Sequence, residues 1–300
     1  MANIEIEEFL KDCLDVIGQA HKFISARRGS FQLKSDIDSG YIRKSGILLD
    51  AKTQIRRFTF ENYDLFVLRG YIILAGNVLN NAGNPFTQFS LRVLHEIGVQ
   101  KINVLFAQGI SEDSRNRFKL ENTLSDWLEL SSQSPYREDF PYLFTEEQGR
   151  LDDHMRKLFK KADEALRSNQ KVQSSLIKNI RNDLNRNIKE YAKDIEPLPF
   201  LNKSDFATLN IAWSHLLHGN PFHIEAVFNQ VDFDSMKNRT YAILCQTAIN
   251  VLYRINGQVE DPSLRETMGF FLNRADLVWD KIVTDWKRSK ISKKENLKSI

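Results

Sequence analysis

The sequence predicts an all-α protein, an extended bundle of about eight to ten helices. Three observations support this class. The 300 residues include only 7 Pro and 13 Gly, and residues that favour helices are abundant. Apolar residues recur at steps of three and four. We find no sustained alternation of apolar and polar side chains, the pattern typical of half-buried strands.

The first predicted helix runs from about Ala2 to Arg27. Its apolar residues form one stripe, namely Ile6, Phe9, Leu10, Cys13, Ile17, Ala20 and Ile24. The next clear helix, within "NYDLFVLRGYIILAGNVLNNAG", is apolar around most of its circumference, so we expect it to be central and buried. Asn84 is expected to cap a further helix, with Pro85 at its first position.

That further helix is expected to reach about Gln108, with Phe86, Phe89, Val93 and Ile97 as its apolar stripe. Ser111 or Ser114 caps another helix, and a long charged helical stretch follows over 146–195. Helices are then predicted from Ser204 to Gly219, over 234–255 and over 262–288. We expect three sections, 1–145, 146–200 and 201–300, with the first and third packed as one core.

Several classes of site are excluded by their missing motifs. The chain has no Gly-rich phosphate loop, no HExxH, no CxxC, no GxSxG and no Glu-x-x-His pair, so we predict no cofactor. Cys13 and Cys245 lie in apolar helical patterns and are expected to be reduced core residues. The acidic start lacks a signal-peptide pattern. The uncharged run over 70–91 contains too many asparagines to span a membrane, so we predict a cytoplasmic protein.

The net charge is only +3, but basic residues are concentrated over 156–193, with eleven Lys and Arg against four Asp and Glu. Such a cluster is typical of a surface that binds a polyanion. Its candidate nucleic-acid-binding residues are Arg156, Lys157, Lys160, Lys161, Lys178 and Arg181. The alternative is an ordinary solvated helix surface.

The segment "SHLLHGNPFH" places Ser214 and His218 one helical turn apart. His218 then ends its helix, where it is suited to act as a general acid or base. One alternative is a histidine that bonds a free carbonyl in the last turn. A second is a zinc site formed by His215, His218, His223 and Glu225.

A second segment, "SLRVLHEIG", places Arg92 and Glu96 one turn apart at the edge of the predicted apolar stripe. The planar guanidinium of Arg92 suits phosphate oxygens. The alternative is an ion pair within the helix, which would contribute only a few tenths of a kcal/mol.

Together, "LRVLHE" and "SHLLHG" resemble segments of a group of all-helical prokaryotic proteins related to the HEPN superfamily (higher eukaryotes and prokaryotes nucleotide-binding). The resemblance implies a HEPN-like core and a homodimer that binds RNA or a nucleotide. It also implies metal-independent RNA cleavage, in phage defence or a toxin–antitoxin system. Arg92 would stabilise phosphate charge and His218 would transfer a proton, with Glu96 and Ser214 beside them.

The usual ribonuclease signature of that superfamily is an arginine followed, after four to six residues, by a histidine. This sequence lacks the signature, because only two residues separate Arg92 from His95 and only three separate Arg150 from His154. A second interpretation therefore stays open. The protein would be a non-catalytic helical interaction or regulatory subunit of a multi-protein defence or stress assembly.

Overall fold

A computed structural model describes residues 5–28, 62–84, 86–132, 149, 151–192 and 233–296. Over these ranges all regular secondary structure is helical, which confirms the predicted all-α class. Within the same ranges, no helix is long and apolar enough to cross a membrane. The predicted helix from Ser204 to Gly219 lies outside the described residues.

The helices are α1 (Ile6–Arg27), α2 (Tyr63–Asn80), α3 (Thr87–His95), α4 (Ile102–Phe106), α5 (Glu112–Ser132), α6 (Asp153–Arg167), α7 (Ser174–Ala192), α8 (Phe233–Ile255) and α9 (Pro262–Asn296). A π-helical segment, π1 (Glu96–Lys101), joins α3 to α4 without a break, and a 3-10 turn, Asn256–Gln258, follows α8. If α3, π1 and α4 count as one helix, the described ranges contain eight, at the lower end of the predicted number.

The chain divides into two compact units. The first comprises residues 1–24, 67–106 and 196–300, and the second comprises 25–66 and 107–195. The sections 1–145, 146–200 and 201–300 inferred from the sequence stay a prediction.

In the first unit, α1 and α9 both contribute apolar stripes to the core. All seven residues of the predicted α1 stripe are buried, which confirms that assignment. Along α9 the buried residues recur at heptad-like steps, namely Met268, Phe271, Ala275, Val278 and Ile282. The rings of Phe9 and Phe271 lie 5.3 Å apart between centroids.

The helix formed by α3, π1 and α4 runs parallel to α8 in the same unit. Gln88 Nε2 donates to Thr240 Oγ1, and Asn250 Nδ2 donates to the Gly98 carbonyl, ten residues further along both helices. The same offset of 152 residues at both contacts shows that the two helices keep one register.

In the second unit, α5, α6 and α7 enclose an apolar cluster that includes Leu124, Phe159 and Ile180. The Asp152 side chain caps α6 by accepting from the Met155 backbone N–H at 2.8 Å. Asn169 ends the turn after α6 with φ of 58°, a left-handed conformation that asparagine tolerates well.

The expectation that α2 is buried around most of its circumference is wrong. Phe66 and Ile73 are 44% and 56% exposed, and Asn77 and Asn80 continue the same exposed stripe. The opposite face, with Leu68, Tyr71, Ala75 and Val78, is buried. Hydrophobic character alone does not distinguish the two faces of such a helix.

Candidate functional site

The turn before α3 is fixed by two side-chain hydrogen bonds. Asn84 Oδ1 accepts from the Phe86 backbone N–H at 2.9 Å. Thr87 Oγ1 donates to the Asn81 carbonyl at 2.6 Å. The helix begins at Thr87, so Asn84 shapes the preceding turn and does not cap the first helical turn.

The inner face of α3 combines apolar and polar side chains. Leu91 and Leu94 are fully buried, and Gln88 and His95 expose only 2% and 7% of their surfaces. Gln88 bonds Thr240 on α8. Desolvation lowers the pKa of His95 to about 4, so this imidazole is neutral in the folded protein near pH 7.

At π1 the backbone closely approaches α2 and α8. A Cβ atom at Gly98 would lie 2.7 Å from Tyr71 Cε2 and 2.9 Å from Thr247 Cβ, so only glycine fits without a shift. The hydroxyl oxygens of Tyr71 and Thr247 are 3.0 Å apart in a hydrogen bond. Asn250 Nδ2 donates to the Gly98 carbonyl at 2.8 Å and satisfies this buried acceptor.

The outward face of α3, defined here as Phe86, Phe89, Val93 and Ile97, was expected to be buried, and this prediction is wrong. Phe86 is 66% exposed and Val93 is 44% exposed, while Phe89 and Ile97 are half-buried. The rings of Phe86 and Phe89 stack with centroids 6.5 Å apart. The helix carries apolar residues on two sides, and the side whose polar groups find partners on α8 is the one that packs inward.

Arg92 and Glu96 lie along one edge of the outward face, and both are half-buried. The Glu96 backbone N–H donates to the Arg92 carbonyl, so α3 continues into π1 between them. No ion pair joins their side chains among the contacts of the described residues. The intrahelical ion pair considered from the sequence is therefore not formed.

The other predicted catalytic residues, Ser214 and His218, lie outside the described residues, as do His215, His223 and Glu225 of the zinc alternative. Their convergence with Arg92 stays a prediction. Within the described part of the chain, no group of His, Cys, Asp or Glu is arranged to hold a metal ion. Cys13 and Cys245 are buried free thiols, and burial raises the pKa of Cys245 to about 12, so neither is activated as a nucleophile.

The six predicted nucleic-acid-binding residues fall into two groups. Arg156, Lys160 and Arg181 form ion pairs with Asp153, Glu164 and Glu129, respectively. Lys157, Lys161 and Lys178 are exposed, and no acidic partner contacts them among the described residues. Ion pairs reduce the charge available to phosphates, so three lysines carry most of the remaining positive charge of this group.

The contacts around Gly98 escaped the sequence reasoning, although one signal for them exists. Four buried polar residues lie on α8, namely Thr240, Gln246, Thr247 and Asn250. Three of them, Thr240, Thr247 and Asn250, recur at steps of seven and three, so they share one face. A polar stripe on a buried face of a helix predicts matching polar groups on a neighbouring helix.

The comparisons with known proteins return no match: no family model, no curated protein and no solved structure matches this chain. The HEPN-like assignment therefore remains an expectation based on two short segments.

Proposed function

We propose that the protein is a helical interaction subunit that binds a partner protein through the outward face of α3. The observation that carries this proposal is the exposure of Phe86 and Val93, 66% and 44%, within a continuous apolar stripe. A helix normally packs its apolar stripe inward, and a contiguous exposed apolar patch is typical of a protein–protein interface.

The charged edge of the same face suits such a role. Arg92 and Glu96 are half-buried and do not pair with each other. Charges at the rim of an apolar patch select a partner and its orientation more than they strengthen binding. A partner with opposite charges at the matching positions would satisfy both side chains.

Substitution of Val93 by Asp tests this proposal. A carboxylate at the centre of the outward face should abolish co-purification of partner proteins with the tagged chain. Ile73→Asp, at an exposed apolar position on α2, is the matched control and should retain them. Equal recovery of partners with both variants and the wild type would contradict the proposal.

A second candidate function is the HEPN-like RNA-binding or RNA-cleaving effector in phage defence or a toxin–antitoxin system. It is favoured by Arg92, which is half-buried and forms no ion pair with Glu96. The exposed lysines at 157, 161 and 178 would add non-specific affinity for RNA. This proposal includes a cytoplasmic location for the protein.

This candidate requires cleavage without a metal ion. Purified protein in EDTA should cleave RNA, and Arg92→Ala and His218→Ala should each abolish cleavage, because the mechanism needs both the cation and the proton-transfer group. Binding should weaken steeply as the salt concentration rises. Intact RNA in every reaction would exclude the catalytic form of this function.

A further inference from the structure

We propose that His154 is a phosphoryl acceptor, whose ring nitrogen Nδ1 takes a phosphoryl group from a phosphohistidine of a partner protein. The site lies within the second unit, on α6 and α7, and its role goes beyond the proposed interaction through α3. Three observations carry the proposal: the bond between His154 and Asp183, the exposure of the ring, and two lysines beside it that pair with no described acid.

The Asp183 carboxylate fixes the orientation of the His154 ring. His154 Nε2 lies 2.6 Å from Asp183 Oδ2, in a contact that joins α6 to α7. Asp183 is only 16% exposed, and its other oxygen, Oδ1, lies 3.5 Å from Nη2 of Arg186. A carboxylate can only accept, so in the neutral imidazole Nε2 carries the proton and Nδ1 carries the lone pair. Nδ1 forms no hydrogen bond with a described residue, and it is therefore the nitrogen that meets an incoming phosphoryl group.

The exposure of the His154 side chain, 63%, indicates the kind of donor. A ring this open to water cannot enclose a small substrate, which normally binds in a cleft. A partner protein can cover the surface formed by α6 and α7 and bring its own phosphoryl group to Nδ1. The exposure therefore favours an acceptor on a docking surface over an enclosed active site.

Two lysines continue from His154 along one face of α6. Lys157 and Lys161 follow it at steps of three and four residues, so the three side chains share this face. Both lysines are exposed, and neither forms an ion pair with a described residue. A phosphoryl group carries about two negative charges near pH 7, and such cations attract it.

The acidic residues that precede His154 leave this positive charge largely intact. Asp152 pairs with Arg117, and Asp153 pairs with Arg156. His154 also lies in the first turn of α6, where the positive end of the helix dipole favours an anion. The surface around Nδ1 is therefore suited to a phosphoryl group.

The transfer exchanges one phosphorus–nitrogen bond for another. The Nδ1 lone pair forms the new bond to phosphorus while the bond from phosphorus to the donor's ring nitrogen breaks, and the electron pair of that bond stays on the donor. The donor ring, protonated on its other nitrogen, leaves as neutral imidazole. The His154 ring gains a positive charge, which Asp183 stabilises through the Nε2–H bond. Because the two bonds are of the same kind, the step needs no further reactant.

Phosphoramidate, a small donor with the same phosphorus–nitrogen bond, tests the site in the full-length chain. His154 should be phosphorylated at least about tenfold faster in the folded chain than in the chain unfolded in urea, because the fold positions its ring. Mass spectrometry of peptides kept at alkaline pH measures both rates. Asp183→Asn should lose this advantage. Asp153→Asn, the matched control, removes a neighbouring carboxylate that does not bond His154 and should keep the advantage.

The identity of the modified nitrogen separates a positioned ring from an ordinary surface histidine. Phosphorus–nitrogen NMR of the labelled protein should place the phosphoryl group on Nδ1 of His154 in the wild type, and Asp183→Asn should shift it toward Nε2. A wild-type product on Nε2, or equal rates for His154 in the folded and unfolded chains, overturns the proposal. An Asp183→Asn variant that reacts as fast as the wild type and at the same nitrogen overturns it as well. Circular dichroism verifies that each variant is folded, and the wild-type result depends on no variant.

Discussion

The α3–α8 interface of the first unit and the α5–α6–α7 cluster of the second unit bury chemically different side chains. Between α3 and α8, Gln88 Nε2 donates to Thr240 Oγ1 and Asn250 Nδ2 donates to the Gly98 carbonyl, whereas Gln88 Oε1 and Asn250 Oδ1 are buried without a hydrogen-bond partner among the described residues. The second cluster is formed by apolar side chains, with Phe159 and Ala162 fully buried. The charged groups beside that cluster form ion pairs, as in the contact of Arg117 with the buried Glu121.

The two kinds of contact contribute differently: apolar burial mainly stabilises the fold, whereas buried hydrogen bonds mainly fix how the helices are aligned. Apolar contacts are non-directional, so they contribute free energy through burial without fixing how helices slide along one another. In the second unit the register is fixed beside the apolar cluster, where Asn187 Nδ2 of α7 donates to both carboxylate oxygens of the buried Glu121 on α5 at 3.1 Å. Buried hydrogen bonds have strict geometry and are costly to leave unmade. The bonds at Gln88 and Asn250 therefore fix the register of α3 on α8. The same bonds fix the rotation of α3 about its own axis, and this rotation leaves the outward face on the side away from α8.

The largest effect is expected from Phe159→Ala in the apolar cluster. Removal of a fully buried phenyl ring leaves a cavity and costs about 3–5 kcal/mol of unfolding free energy. Hydrogen exchange should show a greater loss of amide protection over 153–192 than over 236–255. An equal loss along both segments would contradict the assignment of Phe159 to a separate apolar core.

The next largest effect is a dependence of stability on pH that arises at the polar interface. The pKa of His95 is about 4 in the folded protein, below its ordinary 6.5. Between these values the unfolded chain binds a proton that the folded chain does not, so stability is lost as the pH falls from about 6.5 to about 4. An interval of about 2.5 pH units, at about 1.4 kcal/mol per unit, is of order 3 kcal/mol.

Denaturant unfolding of the wild type and of His95→Gln at several pH values measures this contribution. In a plot of unfolding free energy against pH, His95→Gln should lose the part of the slope that is due to His95. His154→Gln, at an exposed histidine, should keep the wild-type slope. Identical slopes for the wild type and His95→Gln would show that His95 titrates normally when folded.

Gly98→Ala tests the close approach at π1. The new methyl group would overlap the Tyr71 ring and Thr247, and such overpacking costs about 1–3 kcal/mol. At Gly76, in α2 of the same unit, a Cβ would meet nothing within 4 Å. Gly76→Ala should therefore raise stability by up to about 1 kcal/mol. If the melting temperatures of Gly98→Ala and Gly76→Ala shift in the same direction, the close packing at Gly98 is contradicted.

The sequence was sufficient for α1 and insufficient for α3, for a physical reason. In α1 the apolar residues form one stripe, and all seven of its predicted members are buried. In α3 the pair Leu91 and Leu94 competes with the stripe through Val93, and periodicity cannot rank two apolar sides. The choice depends on polar contacts to residues about 150 positions later in the chain.

The candidate site on α3 was predicted only in part. The positions of Arg92 and Glu96 at an edge of the Val93 stripe were inferred correctly, because spacing along a helix fixes edges. The exposure of the stripe itself was not, since it depends on which side of α3 packs on α8. The π1 segment was also missed. Its six residues, Glu96–Lys101, carry no local signal, and the contacts at Gly98 come from distant helices.

The smallest effect is expected from Tyr71→Phe, which removes one hydroxyl from the polar interface and keeps the ring. The lost bond to Thr247 should cost about 1 kcal/mol. Thr247 Oγ1 also donates to the Leu244 carbonyl, so its hydroxyl keeps a partner, which limits the cost. Tyr253→Phe, at a half-exposed ring on α8, should change the unfolding free energy by less. If the two variants are equally stable, the buried hydroxyl pair adds nothing, and the apolar contacts of Tyr71 alone hold α2 against α8.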